Sequence, residues 1–326
     1  MKAVVFDSPG DEGVLHVAEV PPPPLGAGEV RLRVAACALN RADLLQRMGK
    51  YPPPPGASEI LGLECAGEVM ELGVGVRGWK IGDRAMALLA GGGYAEEAVA
   101  PAGCVMPVPA AMPFEEAAAF PEAFLTVFLT VFRLGGLRAG GSVLVHGGGS
   151  GIGTSAITLV KEVGGTVVVT AGSEDKCVRC LGLGADAAVN YRSADFVQAV
   201  RDVTRDRGVD VVLDAIGAPY LERNLAALAT GGRLVVIALM GGSSVEINLR
   251  ELLTRRLSIV GSTLRARSTE EKSGLVAMFL DRFGELLAAG RLRPVIDRVL
   301  PLERAAEAHR VMAASAHFGK IVLRVR

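Results

Sequence analysis

The chain has 326 residues, half of them hydrophobic and 21% charged, which excludes a disordered chain and suits two ordinary domains with a large buried core. Lys plus Arg number 35 and Asp plus Glu number 35, so the formal net charge is zero. That balance argues against nucleic acid or an anionic membrane as the main partner.

The opening segment, MKAVVFDSPGDEG, meets acidic residues too early for a secretory signal. Residues 1–110 are predicted as strand after strand: KAVVF, VLHVAEV, EVRLRVAA, CAGEVMEL, DRAMALL and YAEEAVAP are short, β-rich and bounded by Gly and Pro. One short helix, ADLLQRM, interrupts them. FEEAAAF then reads as a helix running into Pro121, and a second helix covers about 123–134. The apolar stretch AFLTVFLTVF within it is too short to cross a bilayer and is flanked by Glu122 and Arg133. The chain reads as soluble and cytoplasmic.

From there strands and helices alternate. The strands are SVLVHG, TVVVTAG, AAVNY, VDVVLDAIG, RLVVIAL and LSIVGST, and the helices are GTSAITLVKEVG, DKCVRCLGLG, DFVQAVRDVTRDRG, YLERNLAALATGG and LRELLTRR. Alternation with β-branched strands predicts a parallel sheet covered on both faces. After about residue 264 come a helix, EKSGLVAMFLDRFGELLAAG, the strand PVIDRVLPL, the helix ERAAEAHRVMAAS and the strand GKIVLRV. An α/β domain is therefore predicted at 121–263, inserted in a mostly β domain made of 1–120 and 264–326, with a cleft between them as the default site.

The stretch VHGGGSGIG (145–153) holds five Gly in nine residues, between the first strand and first helix of the α/β domain. That is the dinucleotide-binding position, where Gly lets the backbone approach a pyrophosphate and the helix start offers free N–H groups. A strict G-x-G-x-x-G does not fit: begun at Gly147, Gly148 or Gly149, one required Gly falls on Ile152, Ser150 or Thr154. A Gly-rich tight turn is the alternative. No G-K-S/T follows, so a nucleoside-triphosphate loop is not expected. The second strand ends TAGS without the acid that holds both ribose hydroxyls in NAD enzymes. Ser173, Lys176 and Arg179 follow, and Tyr191 ends the third strand. A hydroxyl plus cations suits a ribose 2′-phosphate. Glu174 and Asp175 are expected to point into solvent at the helix start.

The five cysteines, Cys37, Cys65, Cys104, Cys177 and Cys180, are odd in number and scattered, which is no disulfide framework. The Cys177–Cys180 C-x-x-C lies on a predicted helix with no second pair nearby and reads as inert packing.

The segments ALNRAD (38–43), QRMGKYPPPPGAS (46–58), ILGLE (60–64), WKIGDRAMALL (79–89), PEAFLT (121–126), GSGIGT (149–154), TAGSEDK (170–176), NYR (190–192), ALMGG (238–242), LRAR (264–267) and GKIVL (319–323) span the chain. With them the chain resembles the quinone oxidoreductase branch of the zinc-free medium-chain dehydrogenases/reductases, nearest its p53-inducible subgroup. The resemblance implies a doubly wound parallel Rossmann sheet inserted in a mostly β GroES-like domain, NADPH as cofactor, no metal, and reduction of quinones as small-molecule acceptors. In zinc-using relatives a Cys takes the place of Asn40 and a His that of Leu63, and neither residue here offers zinc a ligand it prefers. The four-Cys structural lobe is replaced by LLAGGGYAE. Cys37 and Cys65 lie near the lost positions and read as core residues.

By the same resemblance, Tyr51, Ser150 and Asn40 belong to the catalytic pocket, with Asn40 and Thr126 placing the nicotinamide. Gly148, Gly149, Ser150, Gly151, Ile152 and Gly153 hold the cofactor with Ser173, Lys176 and Tyr191. Met240, Gly241, Gly242, Leu264 and Arg265 close over it, and Lys320 approaches from the last strand. For Tyr51 the plain alternative is a cap on a Pro-rich loop, for Thr126 an ordinary helix residue, and for Arg265 a solvated charge. Tyr51 is expected to hydrogen-bond the acceptor oxygen. No His stands out. Two rival functions remain at this level: an enoyl-thioester or enone reductase on the same fold, and a non-enzymatic zeta-crystallin-like structural or RNA-binding role, which the absence of a basic excess disfavours. LSIVGST (257–263) is predicted as an exposed sheet edge through which two copies pair as a homodimer.

Overall fold

The computed structural model describes residues 1–326. In chain order, the first segment carries β1 (Lys2–Val5), β2 (His16–Glu19), β3 (Glu29–Ala38), α1 (Arg41–Arg47), β4 (Glu64–Leu72), β5 (Arg84–Leu88), β6 (Glu97–Pro101), β7 (Val105–Pro107), α2 (Phe114–Ala117) and α3 (Pro121–Val127). Next come β8 (Ser142–His146), α4 (Gly151–Glu162), β9 (Thr166–Ala171), α5 (Glu174–Gly182), β10 (Ala187–Asn190), α6 (Phe196–Thr204), β11 (Val209–Asp214), α7 (Leu221–Ala227), β12 (Leu228–Val236), α8 (Leu249–Arg255) and β13 (Ser258–Gly261). The chain closes with α9 (Thr269–Ala288), β14 (Ile296–Pro301), α10 (Ala305–Ala313) and β15 (Lys320–Arg324). Two compact units result, one of residues 1–125 with 264–326, the other of 126–263.

In the first unit a seven-stranded sheet runs β14-β15-β3-β4-β5-β7, with β6 also on β3. Its pairs are antiparallel except β14 with β15. Alternate residues of β3, Val30, Leu32 and Val34, enter a core with Leu39, Leu61, Val69 and Leu323. Hydrophobic alternation on one face is why this region reads as strands in the sequence. The long α9 starts at a capping box, in which Ser268 Oγ accepts from Glu271 N and Glu271 Oε2 accepts from Ser268 N.

In the second unit all six strands are parallel, in the order β10-β9-β8-β11-β12-β13. Written from the first strand of the unit, that order is the doubly wound 3-2-1-4-5-6. β8 is buried throughout and β9 nearly so, as strands covered on both faces must be. Leu144, Val168, Val212 and Leu234 form the core with Phe196 and Leu225. β13 pairs β12 alone and ends the sheet, with Ser258 and Ile259 exposed.

Two elements differ from the sequence reading. The helix expected through 220–232 stops at Ala227, and Leu228 joins the sheet opposite Val209. Pairing resumes at Val211 with Arg233, so Ala229–Gly232 loops out, with Gly231 at φ +80°. The helix expected at about 123–134 starts at Pro121 and widens into a π-helix over Phe128–Leu134. Thr130 Oγ1 donates to the Thr126 carbonyl at 2.6 Å, competing with the ordinary i→i+4 partner, and Gly135 N reaches the Thr130 carbonyl five residues back at 2.8 Å.

Candidate active site

In a doubly wound sheet, ligands bind beyond the carboxyl ends of the strands, at the point where strand order reverses. Here that point lies between β8 and β11. β8 ends at His146, and Gly147 takes φ +79°, a conformation that favours Gly. A Cβ on Gly148 would stand 2.7 Å from Val169 Cβ, and one on Gly153 only 2.4 Å from the Gly147 carbonyl oxygen. The loop thus needs Gly at 147, 148 and 153, three of its five, without the G-x-G-x-x-G spacing. Ser150 is the N-cap of α4, its Oγ accepting from Gly153 N at 3.0 Å. No acid lies in the first turn, whose Gly151 and Ile152 amides have no partner inside the helix. Free amides, a favourable dipole and no repelling carboxylate are what a pyrophosphate requires.

At the end of β9, Ser173 caps α5, its Oγ accepting from Lys176 N at 3.4 Å. The Tyr191 hydroxyl lies beside Gly172, where a Cβ would be 2.9 Å from it. Ser173, Lys176 and Tyr191 are therefore gathered at one strand end, and no acid occupies the tip. Glu174 and Asp175 are exposed at the start of α5, as expected, and Glu174 Oε1 accepts from Asn190 Nδ2 at 2.7 Å. Met240, Gly241 and Gly242 are strapped to the end of β11. Met240 N donates to the Ala215 carbonyl at 3.2 Å, Gly241 N to that of Ile216 at 2.8 Å, and Gly242 bridges Gly217. Asp214 holds the same turn through the amides of Ile216 and Gly217. The Met240 side chain is exposed and Thr126 is buried.

The remaining predicted residues fall in the first unit, around a buried ion pair. Lys320, at the start of β15, donates to Glu64 Oε1 at 2.6 Å, Asn40 Oδ1 at 2.8 Å and the Leu39 carbonyl at 2.7 Å. Its three ammonium hydrogens are matched by three acceptors. Asn40 Nδ2 donates to the same Glu64 oxygen at 3.0 Å, and Glu64 Oε2 accepts from Glu122 N at 2.9 Å, at the start of α3. Leu63 is buried in the core. The sequence reading sent Lys320 toward the cofactor; its ammonium is committed inward.

Arg265 is buried rather than solvated. Its guanidinium donates to the Ala90 carbonyl at 2.8 Å, the Tyr51 carbonyl at 3.3 Å and Gln46 Oε1 at 2.6 Å, and lies 5.4 Å from the Tyr51 ring centroid. It clamps the Pro-rich loop that carries Tyr51. Partial burial raises the Tyr51 phenol above its ordinary value, opposed by Arg265. Leu264 is buried beside it in sequence.

Sequence reasoning missed several residues. Glu64, Glu122, Gln46 and Lys272 were given no role, although the first three lie in or beside segments that carry the resemblance. His309, which the sequence did not single out, belongs to a buried chain. Arg47 Nη1 lies 3.2 Å from His309 Nδ1, His309 Nε2 3.3 Å from the Tyr94 hydroxyl, and that hydroxyl donates to Asp43 Oδ2 at 3.2 Å. Asp43 also accepts from Asn40 N and Gly62 N, so the chain fixes the backbone beneath Asn40. Burial lifts Asp43 to about 6 and drops His309 to about 3. His146 is likewise neutral, burial taking it to about 4. All five cysteines are free and buried, and burial raises Cys180 to about 12, which is the inert state expected of the C-x-x-C.

No group of three or more His, Cys, Asp or Glu is placed to hold a metal ion, and no helix is long and apolar enough to cross a membrane. A model of zinc-binding dehydrogenases matches residues 183–323, and one of the alcohol dehydrogenase GroES-like domain matches 26–110. The quinone oxidoreductase of Rattus norvegicus is 32% identical, over 99% of this chain and 97% of that protein. Among solved structures, an NAD-dependent alcohol dehydrogenase is 37% identical with a TM-score of 0.84, over 100% of both chains. Escherichia coli quinone oxidoreductase complexed with NADPH is 28% identical at TM-score 0.86, also over 100% of both. The CurK enoyl reductase is 26% identical at 0.87, over 100% of this chain and 99% of that one. With a GroES-like domain, a doubly wound sheet and a glycine loop fit for a dinucleotide, the chain belongs to the quinone oxidoreductase family of the medium-chain dehydrogenases/reductases and is an enzyme of NAD(P)-dependent oxidoreduction.

Proposed function

We propose that this enzyme reduces quinones with NADPH by direct, metal-independent hydride transfer. The observation that carries the reading is the Lys320–Glu64–Asn40 cluster. Where zinc-using relatives have a metal ligand, Asn40 here offers an amide whose oxygen is taken by an ammonium. NADPH, when bound, supplies the hydride. The amides of Gly151 and Ile152 would hold its pyrophosphate, and Ser173, Lys176 and Tyr191 its 2′-phosphate. Gly148, Gly149 and Gly153 would let the backbone approach, Thr126 and Asn40 would place the nicotinamide, and Met240–Gly242 with Leu264 would cover it. Tyr51 would donate a hydrogen bond to the acceptor oxygen, steadied by Arg265.

The resemblance to CurK enoyl reductase supports a second reading, hydride delivery to an enoyl thioester. Turnover of a small ortho-quinone and of an enoyl thioester, measured side by side, separates them: the proposal expects the quinone to give the larger kcat/KM, and the reverse order overturns it. Tyr51→Phe should leave the fold intact, because the clamp holds the Tyr51 carbonyl and ring rather than its hydroxyl. Loss of that hydrogen bond is expected to lower kcat by about 10-fold or more, read from steady-state quinone reduction.

We also place the enzyme in the cytoplasm as a homodimer. Free, buried thiols suit a reducing compartment. β13 offers an unpaired edge with Ile259 41% exposed, and two copies joined there by a two-fold would extend one sheet. Sedimentation at micromolar concentration should give a dimer, and Ile259→Pro should give a monomer.

A further inference from the structure

Gln46 lies in the last turn of α1 and is buried, as is Arg265. Its amide makes two bonds at once. Oε1 accepts from Arg265 Nη2 at 2.6 Å, and Nε2 donates to the Glu59 carbonyl at 2.7 Å. A guanidinium only donates and a carbonyl only accepts, so the partners fix which end of the amide faces which. Arg265 Nη1 in turn donates to the Tyr51 carbonyl at 3.3 Å. Tyr51 and Glu59 are the two ends of the Pro-rich loop, so one pair of buried side chains holds both. Between those ends the loop has few ways to bend. The four Pro at 52–55 have fixed φ, Gly56 turns at φ +82°, and Ala57 N closes that turn on the Pro54 carbonyl at 3.0 Å. A stiff segment latched at both ends holds its place as one piece.

We propose that Gln46 is a specificity-determining positioning residue, which sets one wall of the acceptor pocket by fixing the far end of the loop whose near end carries Tyr51. This rests on the quinone-reductase reading, in which Tyr51 meets the acceptor, and deepens it. Gln46 touches neither acceptor nor cofactor and acts through the loop.

The two bonds can be broken selectively. Gln46→Glu still accepts from Arg265 but sets a carboxylate oxygen against the Glu59 carbonyl, and Gln46→Met serves neither partner. In both variants Arg265 keeps its own bonds to the Tyr51 and Ala90 carbonyls. The phenol therefore stays in place while the Glu59 end comes loose, and an acceptor beside a displaced wall is held less closely. Both bonds of Gln46 stay within the first unit, whereas the residues assigned to the NADPH phosphates belong to the second. Acceptor binding should thus suffer and cofactor binding should not.

The test compares wild type, Gln46→Glu and Gln46→Met in two ways. Glu59 is exposed, so a glutamate-specific protease reads the far end of the loop without reference to activity. Loss of the bond to its carbonyl should speed the cut after Glu59 by about 5- to 10-fold in both variants. Steady-state kinetics should show KM for a small ortho-quinone raised about 10-fold, more in Gln46→Met than in Gln46→Glu, and the preference for a small over a bulky quinone narrowed. Saturating kcat, and Kd for NADPH from fluorescence titration, should stay near wild type. A merely structural residue would lower stability, kcat and cofactor affinity together. An unchanged cut, an unchanged quinone KM, or a Kd for NADPH that rises with that KM overturns this proposal and leaves the functional reading standing. Wild-type protein without quinone turnover overturns the functional reading, and with it the pocket assigned to this loop. Gln46→Glu retains the Arg265 bond and carries the test if Gln46→Met does not fold.

Discussion

Lys320→Met should destabilise the protein by about 3–5 kcal/mol, because it strands the Glu64 carboxylate in the interior. Lys320 and Glu64 are 4% and 0% exposed at the side chain and lie 2.6 Å apart, so water screens the pair little. The loss has two further parts: Asn40 Oδ1 and the Leu39 carbonyl each give up a donor. Removing both charges together, as Lys320→Met with Glu64→Leu, should cost clearly less than Lys320→Met alone, since a buried pair replaced by apolar groups of similar volume is often near neutral. Denaturant midpoints of the two single variants and the double variant measure the coupling. A Lys320→Met protein as stable as wild type would mean that the pair does not hold Asn40 in place.

Lys176→Ala should raise KM for NADPH by about 10- to 100-fold and leave NADH nearly unchanged. The end of β9 carries Ser173, Lys176 and Tyr191 without an acid at its tip. A hydrogen bond to a charged group contributes roughly 1.5–3 kcal/mol, and about 1.4 kcal/mol is a factor of ten. Glu174, the nearest acid, accepts from Asn190 Nδ2, which restrains it at the end of β10. Ser173 Oγ takes the Lys176 amide as a cap and still carries a hydroxyl hydrogen to donate. Steady-state kinetics with both cofactors check the split; equal use of the two by wild type would remove the phosphate clamp from the account.

Much of this was legible in the chain because it depends on local pattern. β-branched runs alternating with helices announced the parallel sheet, and the glycine density at 147–153 announced the loop. What the pattern could not say was which Gly the backbone needs: Gly148 is required by the neighbouring strand at Val169 and Gly153 by the Gly147 carbonyl, contacts that no linear spacing rule encodes. Lys320 is the sharper case. Its partner Glu64 is 256 positions away, so sequence showed a Lys at the start of a strand and gave no sign that its charge is spoken for. Arg265 could be read in sequence as a cofactor contact or as a solvated charge, since Gln46, Tyr51 and Ala90 meet it only after folding. The π-helix at 128–134 was invisible because an apolar run of this kind suits a helix closed at i→i+4 or at i→i+5 equally well.

The measurement that bears most directly on the central claim is NADPH-dependent reduction of an ortho-quinone by protein that has been exhaustively chelated and analysed for metal. Asn40 and Leu63 supply no zinc ligand that the metal prefers, and Lys320 already engages Asn40 Oδ1 and Glu64 Oε1. Full quinone turnover with no stoichiometric zinc is the predicted result. Activity lost on chelation and restored by added zinc would contradict it.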